Sequence, residues 1–407
     1  MQFNRKIFDQ LFFIFCGGTI GGVVFLGITS SFSLMLYEKK FKLEYISLIM
    51  LATLAYSWKF LLSPYVKKII QNYSIKKFIV LMQILILILF STLGIFSIYK
   101  GIILACVNVL LLAIVTASHD IICSYIKINN FEKKDLGLVV AVSNTGFRIG
   151  ILLSTGILLY LADKIGWEYS FLYCIFPIIF LSIISVLLLN IKNVEAKEEK
   201  KENKSPIKNL IQSVIMFCKN YPVILILLIA FCFKVSDSTV NATKVMLLSH
   251  LNFSKVMISN ILHIPGVFCL IIGGFIAGIA SYKYNVNNCL KYSLLLQILV
   301  CFLFFYMCST NNSIIEKAII LNISSLIFGF SNVIYRTFMD TISRHDININ
   351  TVLASIGPLF RTILQSASML ILKIIDWNMF YLVCAMATLP GIYICYKSKY
   401  KQQLFHQ

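Results

Sequence analysis

The stretch Asn193–Asn209, NVEAKEEKKENKSPIKN, is the one long polar interruption in an otherwise apolar chain. Charges of both signs alternate along it, which is typical of a soluble segment that is mobile or helical at a membrane surface. It lies near the middle of the 407 residues. We therefore expect an N-terminal part at 1–191, a charged cytoplasmic linker at 192–219 and a C-terminal part at 220–407.

The composition on either side of this linker indicates a membrane protein. Hydrophobic residues make up 59% of the chain, charged residues only 13%, and the mean hydropathy is +0.85. A soluble domain carries roughly a quarter charged residues, so most of the outer surface of this protein must face lipid. The apolar segments are each long enough for the roughly twenty helical residues that cross a bilayer. They lie near residues 11–36, 44–64, 78–98, 102–126, 137–161, 169–190, 222–247, 256–280, 291–309, 317–338, 352–374 and 378–396. We predict an all-α integral membrane protein with about twelve transmembrane helices, six in each half.

The net charge of +19 does not indicate a nucleic-acid partner. Lys and Arg lie in short clusters between the apolar segments, as the positive-inside rule requires, and do not form one basic face. Most clusters fall on the cytoplasmic side if both termini are cytoplasmic; Lys39, Lys40 and Lys42 are the main exception. The first apolar run, Leu11–Leu36, is too long for a signal peptide, so we interpret it as the first membrane helix.

The twelve cysteines and five histidines do not predict a catalytic or metal centre. The cysteines lie almost entirely inside apolar segments and show no CxxC or Cys/His spacing, so we interpret them as small apolar side chains. The histidines show neither metal-ligand nor nucleophile–base spacing. We therefore expect no enzyme activity, no metal and no cofactor. A membrane sensor would need a soluble output domain, and the segment 192–219 is too short to form one.

The two halves contain a weak internal repeat. The recurring residues are Arg148, Trp167, Phe171 and Cys174 in the first half and Arg361, Trp377, Phe380 and Cys384 in the second. Such parallel repeats, related about the membrane normal, are typical of secondary transporters.

Charged residues inside the apolar segments are the candidate functional residues, because an ionisable group in hydrocarbon is costly unless it is paired or hydrated. They are Lys59, Asp120, Arg148, Lys234, Asp237, Lys244 and Arg361. Lys59 lies near a segment end and could instead extend its amine to the lipid headgroups. Lys234 and Asp237 are three residues apart, so they share a helix face. They form either a self-neutralising structural pair or a switch that opens during transport.

The two arginines favour an anionic substrate. A guanidinium that faces a central cavity donates two parallel hydrogen bonds to a carboxylate or phosphate. We expect Arg148 and Arg361, with Lys59 and Lys234, to bind such a small-molecule anion. Alternatively, the arginines bond to helix carbonyls or to Asp120 and Asp237.

Asp120 and Asp237 are the candidate proton carriers. Protonation removes the charge of a carboxylate and with it the energetic penalty of crossing an apolar barrier. His119, which precedes Asp120, could titrate as well, but a single histidine is more often simply hydrogen-bonded.

Four motifs in chain order resemble one transporter family. They are Tyr56–Pro64 (YSWKFLLSP), Ser118–Ile121 (SHDI), Val142–Gly150 (VSNTGFRIG) and Phe233–Asp237 (FKVSD). With these motifs the chain resembles the AmpG-type muropeptide permeases of the major facilitator superfamily. That family is distantly related to acetyl-CoA transporters.

The resemblance implies a major facilitator fold and proton-driven import of anhydro-muropeptides, which are cell-wall turnover fragments. It also implies a multi-pass protein of the bacterial inner membrane that acts as a monomer by alternating access. Lys59, Asp120, Arg148, Lys234 and Asp237 match polar membrane positions of the family. Two sites differ from the family pattern: Ser124 replaces a second acid, and Tyr65–Lys68 (YVKK) lacks the usual aspartate. The alternative is a diverged paralogue that carries another anion, such as a nucleotide or an acyl-CoA-like metabolite.

Overall fold

The computed structural model describes residues 5–41, 58–96, 101–189, 206–251, 264–310, 313–344, 346–372 and 374–396. Every regular element in these ranges is helical, which confirms the all-α prediction. Helices satisfy their backbone hydrogen bonds internally, as a lipid environment requires. Most of the second predicted membrane segment, 44–64, lies outside the described residues.

The helices follow the predicted apolar segments closely. In the N-terminal half they are α1 (Arg5–Leu26), the π-helical turn π1 (Gly27–Phe32), α2 (Ser33–Glu38), α3 (Lys59–Asn72), α4 (Ile75–Ile95), α5 (Ile102–Asn130), α6 (Leu136–Leu152), the π-helical turn π2 (Leu153–Ile157), α7 (Leu158–Ile165) and α8 (Trp167–Leu188). The remaining helices are α9 (Pro206–Asn220), α10 (Val223–His250), α11 (Ile264–Lys283), α12 (Val286–Ser309), α13 (Ile314–Ile342), α14 (Ile347–Ile371) and α15 (Trp377–Tyr396). Within the described residues, eleven helical stretches are long and apolar enough to cross a membrane.

Local sequence explains several helix ends. Gly166 separates α7 from α8. Its φ is 84°, a backbone conformation that residues with a Cβ rarely adopt. Helix α13 begins with a capping box. Ser313 Oγ accepts a hydrogen bond from the Glu316 backbone N–H at 3.2 Å, and the Ser313 N–H donates to the Glu316 carboxylate at 3.3 Å.

The chain divides into two compact units. Unit 1 comprises Met1–Glu132, Val142–Gln212 and Arg344–Val352, and unit 2 comprises Lys133–Ala141, Ser213–Ser343 and Leu353–Gln407. The start of α6 therefore belongs to unit 2, and the start of α14 belongs to unit 1.

In unit 1, helices α1 and α6 pack through glycines. Gly18 and Gly22 of α1 lie against the backbone of α6, and Gly146 and Gly150 of α6 lie against the backbone of α1. A Cβ added at any of the four would overlap a backbone carbonyl of the other helix. Each pair is a GxxxG motif, which permits the close approach of two membrane helices.

The aromatic core of unit 1 packs α4 against α8. The rings of Phe90 and Phe171 are 5.3 Å apart between centroids, and the Trp167 ring lies tilted against Phe171 at 6.1 Å. Phe90 and Phe171 are fully buried.

Unit 2 repeats this arrangement between α12 and α15. Phe304 lies 5.2 Å from Tyr381, and Trp377 lies 6.5 Å from Tyr381. The counterpart of Phe171 is therefore Tyr381, not Phe380 as the sequence comparison predicted. The correction follows from the helix period: Tyr381 is four residues after Trp377, as Phe171 is four after Trp167, so each pair lies on one helix face.

We expect Gly22→Ala to lower the thermal stability of the protein in detergent by an amount corresponding to about 1–3 kcal/mol, because the new methyl group overlaps the Phe147 carbonyl. The matched control is Gly156→Ala, where an added Cβ meets no atom within 4 Å. Thermal melting followed by fluorescence-detected size exclusion measures both. Equal melting temperatures for the two variants would contradict the close α1–α6 packing.

Candidate functional site

An ion pair joins α3 and α5 in unit 1. Lys59 Nζ lies 2.6 Å from Asp120 Oδ2. The Lys59 side chain is 11% exposed, and that of Asp120 is 36% exposed. Lys59 therefore neutralises a carboxylate and does not extend to the headgroups, which was the alternative left open by the sequence.

His119, beside Asp120 in the sequence, lies in a separate polar network. Gln83 Nε2 is 3.4 Å from His119 Nε2 and donates a hydrogen bond to Ser182 Oγ at 2.7 Å. All three side chains are buried, and the edge of the His119 ring packs on Phe13. Adjacent residues on a helix point about 100° apart, so His119 and Asp120 serve different contacts. This geometry fits the hydrogen-bonded, structural interpretation of His119.

Arg148 lies on α6 midway between Gly146 and Gly150. Both glycines contact α1, and Arg148 is two residues, or about 200° of helical rotation, from each of them. Its side chain therefore leaves α6 on the side opposite α1. Arg148 is partly buried.

A row of polar side chains lines one face of α10 in unit 2. Lys234, Asp237, Asn241 and Lys244 are separated by three, four and three residues, so they follow one helix face. Each contacts the next. Lys234 Nζ is 3.3 Å from Asp237 Oδ2, Asn241 Nδ2 donates to Asp237 Oδ1 at 2.8 Å, and Lys244 donates to Asn241 Oδ1 at 2.8 Å.

Asp237 is the centre of this row, which we call the α10 polar row. Its side chain is only 3% exposed. Besides Lys234 and Asn241 it contacts Arg361 of α14, whose NH2 is 3.6 Å from Asp237 Oδ2. Arg361 has a 45% exposed side chain, so part of its guanidinium remains accessible. In this cluster one carboxylate contacts two cations, Lys234 and Arg361, and Lys244 is connected to it through Asn241.

Helices α13 and α14 hold Lys234 in place. Lys234 Nζ donates to Asn332 Oδ1 at 2.9 Å and lies 5.0 Å from the centre of the Tyr335 ring. Gly357 of α14 faces both groups: a Cβ there would lie 3.3 Å from Tyr335 Oη and 3.5 Å from Lys234 Cε. The absence of a side chain at Gly357 thus leaves room for the lysine.

One ion pair within a candidate membrane helix was not predicted from the sequence. Arg336 Nε lies 3.1 Å from Asp340 Oδ1, and the Asp340 side chain is fully buried. Both residues lie within the helical stretch Ile314–Ile342, which extends beyond the predicted apolar segment 317–338. Their spacing of four residues was the available signal.

The neutral partners Asn241, Asn332 and Tyr335 were missed as well. Asn241 continues the Lys234–Asp237 face by one turn, which the sequence does show. Asn332 and Tyr335 lie on another helix, so no local pattern connects them to Lys234.

The segment with the unusual YVKK sequence has an acidic partner. Lys67 Nζ is 3.8 Å from Asp346 Oδ1, and Ser63 Oγ donates to Asn348 Oδ1 at 3.0 Å. Arg344 donates to the Phe131 carbonyl at 2.8 Å. All six residues belong to unit 1. The lysine thus forms an ion pair where the sequence lacks the usual aspartate.

The described part of the chain contains no group of three or more His, Cys, Asp or Glu residues placed to hold a metal ion. The described polar clusters consist of ion pairs and amides. Such groups can bind an ionic solute and exchange protons.

Comparisons with known proteins identify the family and the fold of the chain. The model of the Major Facilitator Superfamily matches residues 10–369. A transporter named AmpG 3 from Rickettsia prowazekii is 24% identical, with 94% of each chain covered. A transporter named AmpG 1 from Rickettsia conorii is 23% identical and covers 97% of this chain and 99% of its own length. The crystal structure of the E. coli fucose:proton symporter FucP superposes with a TM-score of 0.69 at 12% identity, over 95% of this chain and 98% of that chain. At this identity the likeness to FucP concerns the fold alone, and it confirms the predicted fold class.

We expect Asp237→Ala to destabilise the protein by about 3–5 kcal/mol, because Lys234 would remain buried without its carboxylate. The double variant Asp237→Ala/Lys234→Met removes both charges and should recover much of this loss. Thermal melting of the single and double variants in detergent measures the coupling. If the double variant is as unstable as the sum of the two single variants, the pair does not stabilise the fold.

Proposed function

Because the chain belongs to the major facilitator superfamily, we propose that it is a proton-coupled importer of anhydro-muropeptides that works by alternating access. The observation that carries this proposal is the α10 polar row, where the buried carboxylate of Asp237 contacts two cations, Lys234 and Arg361. The relatives named AmpG, which cover almost the whole chain, support the substrate class that the sequence motifs imply.

In the proposal, the substrate is recognised by the accessible cation that contacts the α10 polar row, Arg361 of α14. Arg361 is bound to Asp237 at 3.6 Å and is nearly half exposed. This is a long ion-pair distance, so a substrate carboxylate can replace Asp237 as its partner. A guanidinium suits this exchange because it can donate two parallel hydrogen bonds. The amides of Asn241 and Asn332 add neutral groups that suit the peptide and sugar parts of a muropeptide.

Proton coupling follows from the same contacts. A proton on Asp237 removes the negative charge that neutralises Lys234 and Arg361. The site then carries unbalanced positive charge, which binding of an anionic substrate offsets. When the substrate leaves, Lys234 and Arg361 again require a negative partner, which favours loss of the proton from Asp237. Proton and anion therefore bind together, which is the behaviour of a symporter.

Asp120 is the second proton carrier of the proposal. Its side chain is 36% exposed, which gives a proton access, and its partner Lys59 is largely buried. Protonation of Asp120 would leave a buried cation in unit 1. Arg148 of the same unit is the corresponding substrate-binding residue. FucP is itself named a fucose:proton symporter, so proton coupling is compatible with this fold.

The cellular setting completes the proposal. We infer a bacterial inner-membrane protein that acts as a monomer with both termini cytoplasmic, as its basic loops favour. It is a multi-pass membrane transporter, and its family gives no reason to assign it an enzymatic activity.

A second candidate is import of a more highly charged anion, such as a nucleotide or an acyl-CoA-like metabolite. The two cations that contact Asp237, Lys234 and Arg361, favour it, as does Ser124 at the position of a second acid.

We expect purified protein in proteoliposomes to accumulate labelled GlcNAc-anhydro-MurNAc-peptide when an inward proton gradient is imposed. A protonophore should abolish the accumulation, because the gradient supplies the energy. Unlabelled muropeptide should compete with the label, whereas nucleotides and coenzyme A esters should not. Lack of uptake by correctly inserted protein would contradict the muropeptide assignment, and competition by nucleotides or acyl-CoA esters would favour the second candidate.

We expect Asp120→Asn and Asp237→Asn each to abolish gradient-driven accumulation while retaining substrate exchange, because an amide cannot carry the coupled proton. Asp163→Asn is the matched control, since the Asp163 side chain is 79% exposed. Labelled uptake and counterflow measure accumulation and exchange separately. If a variant still accumulates substrate against its gradient, the aspartate replaced in that variant does not couple protons to transport.

A further inference from the structure

Helix α9 lies beside the first membrane helix of the C-terminal half. Its fifteen residues extend for about 22 Å, which is too short to cross a bilayer. Only Tyr221 and Pro222 separate it from α10. The Tyr221 N–H donates to the Phe217 carbonyl at 2.8 Å, and the two rings stack with centroids 4.7 Å apart. The end of α9 is therefore held at the membrane boundary where α10 begins.

One face of α9 is apolar and unusually exposed. Ile207, Ile211 and Ile215 are spaced four residues apart, so they form a continuous row. Each is about half exposed, at 51%, 52% and 50% respectively. Cys218, which is also exposed, extends the row by one turn. Leu210, on a different face, is buried and anchors the helix to the protein.

Two lysines border this isoleucine row. Lys208 and Lys219 lie within about 20–80° of Ile211 and Ile215 around the helix axis, and both are exposed. Lysine side chains at such positions cover apolar surface with their carbon stems and reach outward with the amine. An apolar row edged by lysines is the pattern of a helix that lies in the plane of a membrane interface.

The helix that follows α9 indicates what covers the isoleucine row. Ile224 at the start of α10 is 74% exposed. It lies at the first residues of a span that is long and apolar enough to cross a membrane, so it faces lipid at the membrane boundary. Ile215, the last isoleucine of the row, precedes the first residue of this span by only eight positions.

We propose that α9 lies in the membrane–water interface, with its isoleucine row among the acyl chains and Lys208 and Lys219 bound to anionic lipid headgroups. The helix then fixes the connection between the two units to the membrane surface, and its position depends on the charge of the lipid. Anionic lipid adds attraction for each lysine near the surface.

The depth of α9 is tested with a fluorophore on Cys218 of the full chain, in vesicles of phosphatidylethanolamine and phosphatidylglycerol. The Cys218→Ser variant is labelled in parallel, and its signal, which comes from the other thiols, is subtracted. We expect bromine-labelled acyl chains to quench the probe more strongly than aqueous iodide. The matched control is Met216→Cys in the Cys218→Ser background, about 160° around the helix, where iodide should quench more strongly. If iodide quenches the Cys218 probe as strongly as the control, the row is not in lipid.

The role of the lysines is tested by changing the lipid. Replacing phosphatidylglycerol with phosphatidylcholine should reduce acyl-chain quenching of the Cys218 probe by roughly twofold. The variant Lys208→Gln/Lys219→Gln should show the reduced value in both lipids. The same dependence on lipid charge in the variant and the natural sequence would overturn the assignment of headgroup binding. None of these measurements requires transport, so they are independent of the substrate.

Discussion

The energetic penalty of placing charge in hydrocarbon is the constraint on which the functional parts of this structure depend. Each charged pair inside a membrane helix satisfies it by contact: Lys59 with Asp120, Asp237 with Lys234 and Arg361, and Arg336 with Asp340. The Asp237 cluster differs from the other pairs because the carboxylate contacts two cations, Lys234 and Arg361. In the proposed transport cycle a substrate anion takes the place of Asp237 at Arg361, so the same constraint governs both the stability of the site and ligand binding.

Close helix packing supports these charged sites. In lipid there is little hydrophobic driving force between helices, so association depends on backbone approach and shape. Gly18 and Gly22 bring α1 against α6, and this contact places Arg148 on the opposite side of α6. In unit 2 the lack of a side chain at Gly357 leaves space for Lys234 beside Tyr335. Glycines thus set the direction and position of charged residues.

The internal repeat has different consequences for packing and for charge. Aromatic packing is duplicated, since Phe90–Phe171 and Phe304–Tyr381 have nearly equal centroid distances of 5.3 and 5.2 Å. The charged groups are arranged differently: the ion pair of unit 1 joins α3 to α5, whereas that of unit 2 lies within α10 and extends to α14. The two units therefore share an aromatic packing arrangement, whereas each has its own polar contacts.

The sequence by itself determined the all-α membrane architecture, because hydropathy and segment length depend only on composition along the chain. It also indicated that Lys234 and Asp237 share a helix face, since helical spacing is local. Only the tertiary structure decided that Lys59 meets Asp120, that Arg361 reaches Asp237 and that Asn332 holds Lys234. The partners in these contacts are between 61 and 124 residues apart, as their numbers show. Such contacts depend on how whole helices pack and on how each is rotated about its own axis. Hydropathy carries almost no information about this rotation when most of the surface of a helix is apolar.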